Sequence, residues 1–134
     1  MDRFQEQYAP STIDTIVAVE SRGFLFGAPL AYQMQKALVP VRKQGKLPGV
    51  THATEYSLEY GSSVMEIHAG DIAPGERVLL LDDLLATGGT LAATAKLVEM
   101  CGGVVAGIGL LIELNGLGGR QRLGGYDIFS LIEY

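Results

Sequence analysis

The stretch VLLLDDLLATGGT, residues 78 to 90, restricts the fold more than any other part of the chain. Val78-Leu79-Leu80-Leu81 is apolar at every position, so both faces of an extended segment here need cover, as in a parallel sheet between layers of helix. The run stops at two adjacent carboxylates, Asp82 and Asp83, and Thr87-Gly88-Gly89-Thr90 follows. The expected order is a strand over 77–83, a glycine-rich turn, and a helix over 90–101 stopped by Gly102.

Other segments repeat that alternation. IDTIVAVES (13–21), LVPV (38–41), VVAGIGLLIEL (104–114) and YDIFSLI (126–132) predict strands, and RGFLFGAPLAYQMQKA (22–37) predicts a helix. RKQGKLPG (42–49) is basic and broken by Gly and Pro, so it predicts a loop. EYSLEYGSSVMEIH (55–68) alternates polar and apolar positions about Gly61-Ser62-Ser63, which predicts a hairpin turning there. NGLGGRQRLGG (115–125) predicts a short helix or loop. The expectation is an α/β fold: a mostly parallel central sheet flanked by helices, with a protruding β-hairpin flap. At 134 residues the chain has room for one domain, 1–134, with 42–68 forming a basic loop and hairpin over one end.

Charge and cysteine content narrow the function classes. A net charge of −5 argues against nucleic acid or an anionic membrane surface as partner. The single cysteine, Cys101, cannot form an internal disulfide, which suits a reducing cytoplasm, and beside Gly102 it reads as helix-end packing. No apolar stretch of spanning length and no secretory leader is visible.

In open α/β sheets, ligands bind beyond the carboxyl ends of the strands, where Asp82 and Asp83 fall. Neighbouring strand residues face opposite ways, so two acids reach one ligand only if the strand ends at this point. Gly88 and Gly89 let backbone amides approach a ligand, Thr87 and Thr90 add hydroxyls, and the helix start favours an anion. This is a phosphate cradle with acids beside it. Acids repel phosphate, so their partner is better taken as a neutral diol such as ribose. The simpler alternative is a left-handed turn with Thr90 as helix N-cap and one aspartate on the surface; it leaves the pair unexplained. There is no G-x-x-x-x-G-K-[ST], and the glycines of GIG (107–109) lie inside an apolar strand, where close packing accounts for them.

VLLLDDLLATGGT closely resembles the phosphoribosyl-pyrophosphate (PRPP) motif of the type I phosphoribosyltransferases. ESRGFLFGAPLA, VPVRKQGKLPG and EYSLEYG, in that order, resemble the adenine branch of that family. The resemblance covers about residues 13–134. It implies transfer of the 5-phosphoribosyl group from PRPP to adenine, giving AMP and pyrophosphate, with magnesium. It implies that Ala86, Thr87, Gly88, Gly89 and Thr90 hold the 5′-phosphate and that Asp82 and Asp83 hold the ribose hydroxyls. Ser21 and Arg22 match its pyrophosphate loop, with a cis peptide at Glu20–Ser21. Arg42, Lys43 and Lys46 match cations that reach the pyrophosphate. By themselves these three would read as a solvated loop, but in so acidic a chain they favour an anionic ligand. Glu59 matches a carboxylate near the attacking base, placed to take or orient the imidazole proton as a catalytic residue. Its plain alternative is the wet face of a hairpin. Tyr60, His52 and His68 receive no role.

The family pattern also implies a segment upstream of residue 13 that lines the adenine pocket, and MDRFQEQYAP does not match it. Its glycine turn after the first long helix is replaced by YQMQKALVPV. Two further readings therefore stand beside the enzyme: a non-catalytic PRPP- or nucleotide-binding regulator, and an inactive short form of the same fold. The apolar breadth of SRGFLFGAPLA, together with the resemblance, implies a homodimer.

Overall fold

The computed structural model describes residues 1–58 and 60–134. The chain runs α1 (Asp2–Gln7), a 3-10 turn (Pro10–Thr12), β1 (Thr15–Val19), α2 (Phe24–Met34), β2 (Ala37–Lys43), β3 (Thr51–Leu58) and β4 (Gly61–His68). It continues through β5 (Arg77–Leu85), α3 (Gly89–Met100), β6 (Val104–Glu113), α4 (Gly119–Arg122) and β7 (Ile128–Glu133). The seven strands form one sheet in the order β3-β4-β2-β1-β5-β6-β7. β2, β1, β5, β6 and β7 run parallel to one another, and β4 pairs antiparallel with β2 and β3. The structure therefore has the expected α/β architecture.

Consecutive residues of the central strands serve opposite layers, which explains why these strands are apolar throughout. Val17, Val78 and Leu80 pack with Leu91, Ala95, Leu97 and Val98 of α3 on one side. Ile16, Leu79 and Leu81 pack with Leu30, Ala31 and Met34 of α2 on the other. The latter layer also contains Phe4 and Tyr8, from a segment where no element was expected. Their rings lie edge-on to Phe129, with centroids 5.8 and 6.5 Å away. A Cβ on Gly107 would fall 2.3 Å from Tyr8 Cε1, and one on Gly109 would fall 3.0 Å from Phe4 Cε1. The GIG glycines thus make room for α1, the close packing expected of them.

Four boundaries differ from expectation. α2 stops at Met34 because Gln35 turns left-handed (φ 56°), and the Lys36 amide then donates to Ala31 O at 2.9 Å. Gln35 adopts the conformation that glycine usually supplies at a helix end. β2 extends through Arg42 and Lys43, which pair with Glu66 and Met65 of β4, so the basic loop begins later than expected. The hairpin turns before Gly61: Leu58 opposes Gly61, while Ser62 and Ser63 already pair with Ser57 and Tyr56. β5 runs on to Leu85, two residues past the acids.

Candidate active site

The site lies at the carboxyl edge of β1 and β5, where α2 and α3 begin. Asp82 is still in register with Leu110 of β6, so the strand does not end at the acids. The two carboxylates converge by another route. Asp82 accepts the Asp83 amide at Oδ1 (2.8 Å), and Asp83 Oδ2 lies 2.7 Å from Arg22 Nε. Burial, opposed by that amide but reinforced by the neighbouring Asp83, pushes the Asp82 carboxyl up to about 7.

The turn after β5 is shaped by backbone packing. Gly88 caps α3 in the left-handed conformation (φ 85°), with no side-chain cap bond. The helix N-cap is thus Gly88, and Thr90 lies within the first helical turn. A Cβ on Gly88 would sit 3.0 Å from Gly119 O, and one on Gly119 would sit 2.4 Å from Ala86 O. Backbone therefore meets backbone between this turn and α4, leaving no space for a side chain. α4 is itself fixed by Arg120, which donates to both oxygens of the buried Glu113 at 2.8 and 2.7 Å. Those bonds hold the Glu113 carboxyl below its usual range against burial. They also hold α4 against the turn.

Two small cavities meet at the acids. One, of about 200 Å³, is bounded by Asp82, Asp83, Arg22 and the turn from Ala86 to Thr90. The other, of about 190 Å³, is bounded by Glu20, Ser21, Arg22, Lys43, Tyr56 and the same two acids. A larger open hollow of about 720 Å³ lies farther along the sheet edge, but Arg120, the cation in it, is bound to Glu113.

The structure thus brings together Ser21, Arg22, Lys43, Asp82, Asp83 and residues 86–90. The Glu20–Ser21 peptide is cis. Arg42 and Lys46 do not line the cavities themselves but bind Glu20, a wall of the second one, Arg42 Nε at 2.9 Å and Lys46 Nζ at 2.5 Å. Burial works against the Glu20 charge, yet the bonds from Lys46 and Arg42 keep its carboxyl below the usual range. Glu59 lies outside the described residues. Tyr60 is 93% exposed, and His68 binds Pro48 O at the hairpin base.

Three site neighbours escaped sequence reasoning. Glu20 gathers two of the three cations; its signal was an acid placed directly before Ser-Arg at a strand end. Tyr56 lines the second cavity, and only its inward phase on the hairpin hinted at this. Arg122 Nη1 would lie 3.5 Å from a Cβ on Gly89. Nothing local signals it, because its place depends on the Gly88–Gly119 contact.

A mostly parallel sheet flanked by helices, with paired acids and a glycine turn at its carboxyl edge, defines an α/β protein with its site at the strand ends. The model of the phosphoribosyl transferase domain matches residues 2–132, and the chain belongs to that family. Within it the similarity is to adenine phosphoribosyltransferases. The one from Chloroflexus aurantiacus is 54% identical over 134 residues, covering 100% of this chain and 78% of that protein. The crystal structure of the Thermoanaerobacter pseudethanolicus protein superposes with a TM-score of 0.90 at 51% identity, covering 98% of this chain and 80% of that one. The Trypanosoma brucei protein gives a TM-score of 0.90 at 31% identity, covering 98% and 62%. The match with the first relative includes residues 1–12, the segment that carries α1 here.

Proposed function

We propose that the chain transfers the 5-phosphoribosyl group of PRPP to adenine, releasing pyrophosphate and AMP, in purine salvage. The observation that carries this reading is the pair of cavities meeting at Asp82 and Asp83. PRPP has the same order of parts: a 5′-phosphate, a diol-bearing ring, then a pyrophosphate. The relative from Trypanosoma brucei was crystallised with AMP, pyrophosphate and ribose-5-phosphate, which supports the assignment.

In this reading the amides of Ala86 to Gly89 and the hydroxyls of Thr87 and Thr90 hold the 5′-phosphate at the start of α3. Asp82 and Asp83 accept from the ribose hydroxyls. Arg22, now paired with Asp83, turns with Ser21 and Lys43 toward the pyrophosphate, and Arg42 and Lys46 complete the cationic end. As the bond from the anomeric carbon to pyrophosphate breaks, an adenine ring nitrogen forms the new bond and loses its proton. Glu59 is the residue we assign to receive or orient that proton. The β3–β4 hairpin, with Tyr56 beneath it, keeps water from the reacting carbon. Residues 1–134 act as one domain, with 42–68 as the basic loop and hairpin over the site.

Magnesium enters with the substrate. Among the described residues no group of three or more His, Cys, Asp or Glu side chains could form a metal cage. Hard phosphate oxygens and water suit the ion, while Asp82 and Asp83 would face it across the sugar hydroxyls. Its contribution is to offset charge on the departing pyrophosphate.

We also infer a homodimer through α2. Leu25 and Tyr32, two turns apart on one face, are 70% and 87% exposed, and Leu38 of β2 lies beside that helix. Light scattering should give twice the chain mass. The lone free thiol of Cys101 fits a cytoplasmic location, and among the described residues no helix is long and apolar enough to cross a membrane.

A coupled assay of AMP formation from adenine, PRPP and magnesium tests the function, with hypoxanthine and guanine as alternative bases and Asp83→Asn as control. Turnover with adenine, lost in the variant, is expected. Tight PRPP binding without turnover on any base would instead identify a regulator.

A further inference from the structure

The turn that carries Lys46 is almost wholly exposed from Lys43 to Val50, so apolar packing does not fix it. Polar links from β4 do. The Gln44 amide donates to Val64 O at 2.9 Å, and the Gly45 amide donates to Glu66 Oε1 at 2.7 Å. Glu66 is buried, and its other oxygen accepts the Thr51 hydroxyl at the start of β3. Its register partner on β2, Arg42, is turned toward Glu20. A buried carboxylate thus lies between three strands, with an amide and a hydroxyl as its donors. Burial of such a group is costly, and an apolar residue would serve a plain strand better.

Resting on the function proposed above, we propose that Glu66 is the positioning residue of the basic turn. It fixes the Gly45 amide and so sets where the Lys43 and Lys46 ammonium groups stand for the pyrophosphate end of the substrate. Gly45 lies between those lysines, in a left-handed conformation (φ 89°). Freeing its amide lets the turn sample other paths and moves Lys46 away from Glu20. Glu66 touches no substrate, and its effect passes through the backbone. Because the 5′-phosphate turn belongs to β5 and α3, it should not register the change.

Calorimetric titration of the full chain with magnesium pyrophosphate, and separately with ribose 5-phosphate, tests this. Glu66→Leu should weaken pyrophosphate binding about tenfold while ribose 5-phosphate binding stays within about twofold. Glu66→Gln should recover most of the loss, because its amide oxygen accepts from Gly45 and its NH2 donates to the Thr51 hydroxyl. Unchanged pyrophosphate affinity in Glu66→Leu, or equal loss of both ligands, overturns the inference. If Glu66→Leu lacks a cooperative melt, Thr51→Val decides: about threefold loss for pyrophosphate alone supports the inference, and no loss overturns it. Lys46→Ala separates the two claims. Should it leave pyrophosphate binding intact, the pyrophosphate role of the turn fails and the inference with it. Should it weaken binding while Glu66→Leu does not, only the inference fails.

Discussion

The two ends of the site are built differently. At the end proposed for the 5′-phosphate, Ala86 to Gly88 link β5 to the start of α3 at Gly89 and Thr90, and the turn is shaped by backbone meeting backbone at Gly88 and Gly119. At the end proposed for the pyrophosphate, long cationic side chains stand on a strand end and an exposed turn, with Glu20 binding Arg42 and Lys46 and Glu66 holding the Gly45 amide of the turn. The first device is main chain packed against main chain. The second is assembled from side chains, of which Arg22, Arg42 and Lys46 already have acidic partners. Arg22 shows this most directly, since its present partner, Asp83, is one of the acids assigned to the sugar. An end made of main chain suits the part of a substrate that stays bound, and an end made of movable cations suits the part that leaves.

The contrast breaks most sharply at Gly88. Gly88→Val would force a branched residue into a left-handed φ against Gly119 O, so ribose 5-phosphate affinity should fall about a hundredfold. Calorimetry should find magnesium pyrophosphate bound nearly as before, and equal loss of both would mean the ends are not separate. At the other end, Lys43→Ala should weaken pyrophosphate about tenfold and leave ribose 5-phosphate unchanged. Between them, Asp82 should reveal itself through pH. Its folded carboxyl, raised to about 7 from 3.8, holds a proton that the unfolded chain has released. This group's contribution to stability is therefore lost as pH rises through that window. Thermal melts at pH 5 and pH 8 should differ less for Asp82→Asn than for the parent, and an identical difference would refute the shift. The smallest effect is a control remote from both ends: Gln35→Gly should add about 0.5–1 kcal/mol in denaturant titration by relieving a left-handed glutamine, with neither affinity altered.

The same contrast explains what the sequence disclosed. Features set by neighbouring residues were legible: the doubly apolar strands, with Ile16 and Val17 or Leu79 and Leu80 serving opposite layers, and the acid-then-glycine turn. Even there a local rule misled. Asp82 and Asp83 converge through the Asp83 amide and Arg22, without the strand ending. Ser62 and Ser63 have turn chemistry, yet pairing across the hairpin places them in β4. Features set by distant contacts were not legible. Phe4 and Tyr8 are two aromatics one helical turn apart in a polar segment, and only Gly107, Gly109 and Phe129 make them core. Arg42 and Lys46 read as free cations because nothing in RKQGKLPG reveals that Glu20 holds both.

In the proposed function, residues 86–90 grip the terminal phosphate of the sugar while Asp82 and Asp83 hold its hydroxyls. Backbone amide NMR during titration with AMP addresses it most directly. The account predicts the largest shifts at Thr87, Gly88, Gly89 and Thr90, with Asp83 next and the amides of residues 44–46 nearly still. Largest shifts elsewhere, with 86–90 unmoved at saturation, would contradict it.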